Sequence, residues 1–381
     1  MRFIAPFILL LSMSLSIQAQ SAKKKKQLTD LAEGIVLAIE ENNEDFLDKA
    51  FDLEAFADRI IIKGSSQQIQ DFNAGFIKSL EKHSLLNRLL LQVVVNSGAH
   101  YDLVRAYFDE KEPHLIFRLF GEEGINYHDY LIRKIKGEYK VIDIYVYLTG
   151  EYLSDTYKRI YLMGGKEYFD SAQTAGMPEL TMEDLTKLGT IRELYKQGEY
   201  KAADEVMQSV KEEVRNEKIF RLMDVQVKSN LDDDVYIKVM QDYRDAFPDD
   251  PSIDLISIDL FVYSENYQAA HQAVDNVNDR VGGDTFLDFY RGYVYYAAGD
   301  HAKAETALLK FTDNYPAFDD GPFYLLAIYI ESERFEKAIS VFQDLINDYG
   351  FTREDLISFA EEEPDYVPLV NSEAYKTWKK N

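Results

Sequence analysis

Four short segments of this 381-residue chain repeat in register, and their spacing fixes what its second half can fold into. They are Gly198-Glu199-Tyr200-Lys201-Ala202-Ala203, Glu265-Asn266-Tyr267-Gln268-Ala269-Ala270, Gly299-Asp300-His301-Ala302-Lys303-Ala304 and Glu333-Arg334-Phe335-Glu336-Lys337-Ala338. The closing alanines fall on a period of 34 residues, with 33 in one interval, and a weaker copy between the first two carries Tyr236 in the alanine's place. A turn followed by a small residue at this period is what stacked helical hairpins require, because each hairpin buries its apolar face only against its neighbours.

The fullest unit runs from Phe286 to Pro316. Gly292 and Ala304 are small, so paired helices can approach closely, while Tyr295, Leu308 and Phe311 fill the space between neighbouring pairs. Pro316 lacks the amide that would continue the second helix. With Gly299-Asp300 at its turn, this unit resembles a tetratricopeptide repeat (TPR). The last unit keeps Tyr329, Phe335, Ala338, Phe342 and Leu345 but has Leu326 for the first-helix glycine. The preceding units keep Tyr267, Ala270 and Val274, and Gly198, Tyr200 and Ala203. Between them, Glu217 to Pro248 is the most divergent, with Met240, Tyr243 and Pro248. The resemblance implies an all-α superhelix of about five hairpins over residues 184–350. Residues 351–381 read as capping helices that shield the last pair, with Trp378 as a packing anchor.

In such a superhelix the first helix of each pair lines the inside of the curve. The resemblance therefore points Leu255, Asp259, Val262, Tyr263, Phe289, Tyr293, Tyr296, Phe323 and Ile330 inward. This is an aromatic groove of little charge, suited to an extended peptide or a partner helix. Each aromatic has packing against the adjacent repeat as its other use. Some members of the family hold a C-terminal carboxylate with Lys, Arg and Asn. The corresponding positions here include Leu188, Arg192 and Leu222, so that clamp is absent.

The first half reads differently. Leu28 to Glu41 is amphipathic at helical spacing, helices follow over Glu44 to Ile61 and Gln67 to about Leu91, and the period then switches to two. Tyr101 to Asp109, His114 to Phe120, Ile125 to Ile135 and Tyr139 to Leu148 are β-rich runs joined by short polar or glycine turns. Residues 27–165 thus form an α+β domain, helices followed by a four-stranded antiparallel meander. On the last strand, alternation puts Ile142, Ile144, Val146 and Leu148 on one face and Val141, Asp143, Tyr145 and Tyr147 on the other. By its order of elements the domain resembles the nuclear-transport-factor-two-like superfamily or the periplasmic lipid-shuttling proteins. Either likeness implies an alternative function, binding or catalysis on a small apolar, lipid-like molecule with the repeats as scaffold. His114, Arg118, His128, Asp129 and Asp143 lie within strands, where a pocket could use them for proton transfer. The adopted reading places them on the solvated face of a half-exposed sheet. Residues 166–183, including Met163-Gly164-Gly165 at the entry and Ser171 to Pro178, read as a linker.

Composition narrows the function. A net charge of −25 argues against nucleic acid as a partner, since phosphate neutralisation needs clustered Lys and Arg. The absence of cysteine removes disulfides, thiolate metal sites and a cysteine nucleophile. The six histidines show no metal-ligand spacing, and no phosphate loop, dinucleotide fingerprint or serine elbow occurs. Neither metal, cofactor nor catalytic residue is expected. Met1-Arg2-Phe3, an apolar run from Ile4 to about Ile17 and the small Ala19 read as a signal peptide over residues 1–19. Lys23 to Lys26 beyond that run favour its alternative, an uncleaved N-terminal anchor. With no stable membrane span after cleavage, the chain is expected to be an exported bacterial protein, periplasmic or secreted. It would act as a non-enzymatic adaptor or scaffold for a protein or peptide.

Overall fold

The computed structural model describes residues 5–82, 91, 94, 99–109, 112–121, 124–169, 180–248 and 250–380, with side chains of 5–21, 109 and 233 excepted. The proposed cleavage position, after Ala19, falls where the backbone alone is described, and most of the expected linker lies outside the described residues. The chain divides into two compact units, Met1–Ile253 and Asp254–Asn381.

The first unit opens with α1 (Ala5–Glu40), which buries Leu28, Ala32, Ile35, Ala38 and Ile39 along one stripe. α2 (Glu44–Ala50) and α3 (Leu53–Ile60) follow where one helix over Glu44 to Ile61 was expected. Phe51 is extended and bridges Val141, while Asp52 both donates its N–H to Val141 O and caps α3 by accepting from Ala55 N–H. A capping aspartate next to a strand thus ends one helix and starts another. Next is α4 (Gln67–Lys82); the expected continuation toward residue 91 lies mostly outside the described residues.

Five antiparallel strands then run in sequence order: β1 (His100–Asp109), β2 (Glu112–Gly121), β3 (Gly124–Ile135), β4 (Glu138–Val146) and the two-residue β5 (Glu151–Tyr152). The fifth strand was not expected; Gly150, at φ +62°, makes the tight return that brings it back onto β4. A bulge at Ile142, where Leu131 faces Asp143 but Ile132 faces Val141, shifts the alternation by one residue. Tyr139, Val141, Ile144 and Val146 therefore share the face covered by α1, and Ile142 joins Leu131 on the other. This corrects the alternation read from sequence, which had no means of locating the extra residue. The α1 face is filled by Tyr101, Leu115, Phe117, Tyr130 and Ile132. On the opposite side Ala55 of α3 packs on Leu131 and Ile142, and beyond it Phe56 and Ile60 of α3 cluster with Tyr161 of α5 (Leu153–Gly164). Met163 and Gly164 thus close a helix rather than open a linker.

Two helical hairpins complete the unit: α6 (Met182–Lys196) with α7 (Tyr200–Gln208), then, after the single turn α8 (Glu212–Arg215), α9 (Lys218–Lys228) with α10 (Asp233–Ala246). Their shared core is Ile191, Ala203, Met207, Phe220, Met223 and Val227.

After α11 (Ile253–Ile256), the second unit pairs α12 (Ile258–Tyr263) with α13 (Tyr267–Val281), α14 (Asp288–Ala297) with α15 (His301–Asn314), and α16 (Asp320–Glu331) with α17 (Phe335–Asp348). A built Cβ on Gly292 would stand 2.6 Å from Leu308 Cγ, so glycine is what lets α14 and α15 approach. Ala304, at the repeated small position, is fully buried. The turn residue inside the hairpins is left-handed at every clear copy: Gly198 at φ +74°, Glu265 at +54°, Gly299 at +73° and Glu333 at +55°. α18 (Arg353–Glu362), α19 (Val367–Asn371) and α20 (Glu373–Lys380) follow, and Trp378 sets its ring 5.0 Å from Phe342 of α17. Among the described residues, no helix is long and apolar enough to cross a membrane.

Candidate functional site

The first helices of the second unit bring a cluster of aromatic side chains together. On α14, Phe289, Tyr293 and Tyr296 recur at helical spacing and share one stripe. Tyr324 of α16 meets all three edge-on, at centroid distances of 5.6 Å from Phe289, 5.9 Å from Tyr293 and 5.5 Å from Tyr296. Edge-to-face contact at these distances is favourable beyond the area it buries. All four rings are half-buried, so the stripe keeps surface for a partner. Tyr296 also donates its hydroxyl to Glu331, which pairs with His301 Nε2 at 3.1 Å.

α12 adds Asp259 and, one turn on, Tyr263, which is 50% exposed. Burial raises the Tyr293 hydroxyl well above its usual range, and the charge of Asp259 adds to the rise. Burial likewise raises the Tyr324 hydroxyl, with Asp259 and Asp320 next in effect. Desolvation also raises the carboxyl of Asp259, an exposed residue.

Of the residues read from sequence, Asp259, Tyr263, Phe289, Tyr293 and Tyr296 meet on this face. Three do not belong to it. Ile330 is 3% exposed and Leu255 8%, so both are core residues and present no surface to a groove. Phe323 turns elsewhere, edge-on to Phe351 and Phe359 at 5.6 and 5.5 Å, because α18 packs where a further first helix would stand. The family geometry placed Phe323 in the groove by its equivalence to Phe289; the ring that actually meets Phe289 belongs to the next residue, Tyr324. A signal for it was present in Asp320 and Tyr324, which repeat the acid-then-tyrosine spacing of Asp259 and Tyr263.

In the first unit, the strand residues read as solvated are instead largely enclosed. Arg118, His128 and Asp143 are buried, and His114 and Asp129 partly so. A single chain of donors explains how the sheet tolerates His128. Leu148 N–H donates to Asn126 Oδ1 at 2.8 Å and Asn126 Nδ2 to His128 Nε2 at 3.2 Å. His128 Nδ1, left as the protonated nitrogen, then meets the Tyr101 oxygen at 2.9 Å, and Tyr101 donates to the Tyr130 oxygen at 2.9 Å. Burial lowers the His128 pKa to about 4, keeping the ring neutral in this chain. On the other face, Asp143 accepts from Ser154, Ile144 N–H and Arg59, whose Nε lies 2.6 Å away, yet burial still raises its carboxyl. His114 Nδ1 sits 2.8 Å from Asp129, which also accepts from Tyr107. Between α4 and α5 a groove of about 670 Å³ opens, lined by Phe72, Phe76, Ile160 and Tyr168 together with the polar Gln68 and Asp71, with Gly75 in its wall.

Paired helices at a fixed period, with a small residue at each clear copy of the turn, define a helical-repeat protein. A family model, Tetratricopeptide repeat, matches residues 287–317, nearly the bounds of the fullest unit read from sequence. The chain carries tetratricopeptide repeats, and repeats of this kind make protein-interaction adaptors and scaffolds. Neither a curated protein nor a solved structure matches it.

Proposed function

We propose that this chain is an exported, non-enzymatic adaptor that holds a protein or peptide segment against the first-helix face of residues 254–381. The observation that carries this reading is the cluster of Phe289, Tyr293, Tyr296 and Tyr324, half-buried on the face rather than sealed in the core. Rings already fixed by one another lose little freedom on binding, which is why such residues dominate interface energies. Export is supported by the basic start and the short apolar run. The division of labour is an α+β domain over 27–165, repeats over 184–350 and a helical cap over 351–381.

The test is affinity capture from periplasmic and secreted fractions, comparing wild type with Tyr293→Ala plus Tyr324→Ala. The double variant should lose its partner by about 30-fold or more in affinity, the scale of two interface anchors. Equal capture by a folded double variant would overturn the reading.

A second reading rests on the groove between α4 and α5, whose apolar side chains suit a small lipid-like molecule. Native mass spectrometry of the purified chain should then show an added mass, lost in Gly75→Phe. A clean unliganded mass after gentle purification counts against it.

A further inference from the structure

Asp259 differs from several other acids of its unit. Asp254 pairs with Arg280, Asp275 and Asp288 with Arg291, and Glu305 with Arg334 and Lys337. Asp259, an exposed residue one turn before Tyr263 on α12, has neither ion-pair nor hydrogen-bond partner among the described residues, and its charge acts on the Tyr293 and Tyr324 hydroxyls. Asp320, one turn before Tyr324, is likewise without a cation. The cations of this unit point to other places: Lys303 to Asp300 and the Tyr295 ring, Lys310 to Asp288.

Resting on the reading of this face as a peptide site, we infer that its occupant is cationic. A Lys or Arg of an extended partner segment lays its methylene stem across Tyr293 and Tyr324 and sets its charged head at Asp259. Long basic side chains cover apolar rings with their stems while the head stays polar. The ring faces attract the cation, and a carboxylate without a partner supplies the counter-charge. An acidic segment meets two carboxylates here and a chain of net charge −25 behind them, so the same face rejects it. The sign of recognition is thus the reverse of a carboxylate clamp.

The experiment uses the full chain and three fluorescein-labelled dodecapeptides in which Leu alternates with Lys, Ser or Glu, followed by anisotropy at near-physiological salt. The Lys peptide should bind at least tenfold more tightly than the Ser peptide, and the Glu peptide not at all. Asp259→Asn should weaken the Lys peptide by roughly tenfold. Glu336→Gln, which makes the same change in net charge on an exposed position of α17, should leave it unchanged. Thermal melting checks that each variant is folded. Equal weakening by Asp259→Asn and Glu336→Gln would mean diffuse attraction to an acidic protein and would overturn the inference. If the Ser peptide binds as well as the Lys peptide and Tyr293→Ala abolishes both, the cationic inference fails while the peptide-binding reading stands. Binding of none of the three overturns both.

Discussion

The Tyr145 hydroxyl donates to Asp250 Oδ1 at 2.8 Å, joining the last long strand of the sheet to the segment that follows the second helical hairpin. The same carboxylate pairs with Lys218 and accepts from Tyr243 at 3.1 Å, from Ser252 N–H at 2.9 Å and from Ser252 Oγ at 2.7 Å. Lys218 in turn reaches the Gly150 carbonyl. The sheet and the first two hairpins are thereby held in one compact unit by a buried acid with every lone pair engaged.

Replacing Asp250 with Asn leaves Lys218 without its counter-charge and should destabilise the first unit by about 3 kcal/mol in urea melts. Burial alone raises the Asp250 carboxyl, but Lys218 and Ser252 outweigh it and hold the folded value below 3.8. The stabilisation is therefore full above pH 3.8 and lost as pH falls through the lower folded value. In Asp250→Asn that acid limb should flatten; an unchanged limb would mean other carboxylates carry it.

His128 acts in a higher window. The unfolded chain takes up a proton near pH 6.5 and the folded one only near 4. Stability is full above pH 6.5 and should fall by about 3 kcal/mol on the way down to 4. His128→Gln, which takes up no proton there, should lose this share of the pH dependence across the window. Urea midpoints measured at half-unit steps of pH decide it.

Two left-handed glycines separate conformational cost from collision. At Gly150 a Cβ would stand 2.6 Å from Asp250 Oδ2 and 2.7 Å from Lys218 Nζ, whereas at Gly198 nothing lies within 4 Å. Gly198→Ala should cost about 1 kcal/mol and Gly150→Ala about 3 or more. Equal losses by denaturant titration would remove any special role for the Lys218–Asp250 pair.

The left-handed turn recurs at Glu265 and Glu333, where a residue with a Cβ strains the backbone. Glu333→Gly should raise the stability of the second unit by up to about 1 kcal/mol, the strain relieved less the extra freedom of the unfolded glycine. A lower melting temperature in this variant would show that the glutamate side chain contributes more than its backbone costs.

At the other end, Trp378 is 5% exposed, with the Arg353 guanidinium 4.7 Å above its ring. Trp378→Ala should cost about 3–5 kcal/mol and uncover Phe342, so loss of stability should come with concentration-dependent association in light scattering. A monomer of wild-type stability would remove the cap from the proposal.

Periodicity determined the hairpins and their small crossing residues, because helix packing repeats whatever the sequence repeats, and the family resemblance pointed to the aromatic stripe of Phe289, Tyr293 and Tyr296. Alternation likewise determined the antiparallel strands. Only the tertiary structure decided what has no local signature. The bulge at Ile142 exchanged the faces of β4, and the fold of the first unit enclosed His128 and Asp143. Packing of α18 drew Phe323 away and left Tyr324 in the aromatic cluster. It also decided that the charge of Asp259, one acid among 67 Asp and Glu, would act on tyrosines rather than pair with a cation. Whether a charge finds its partner depends on groups far apart in sequence, and a period of 34 carries no record of them.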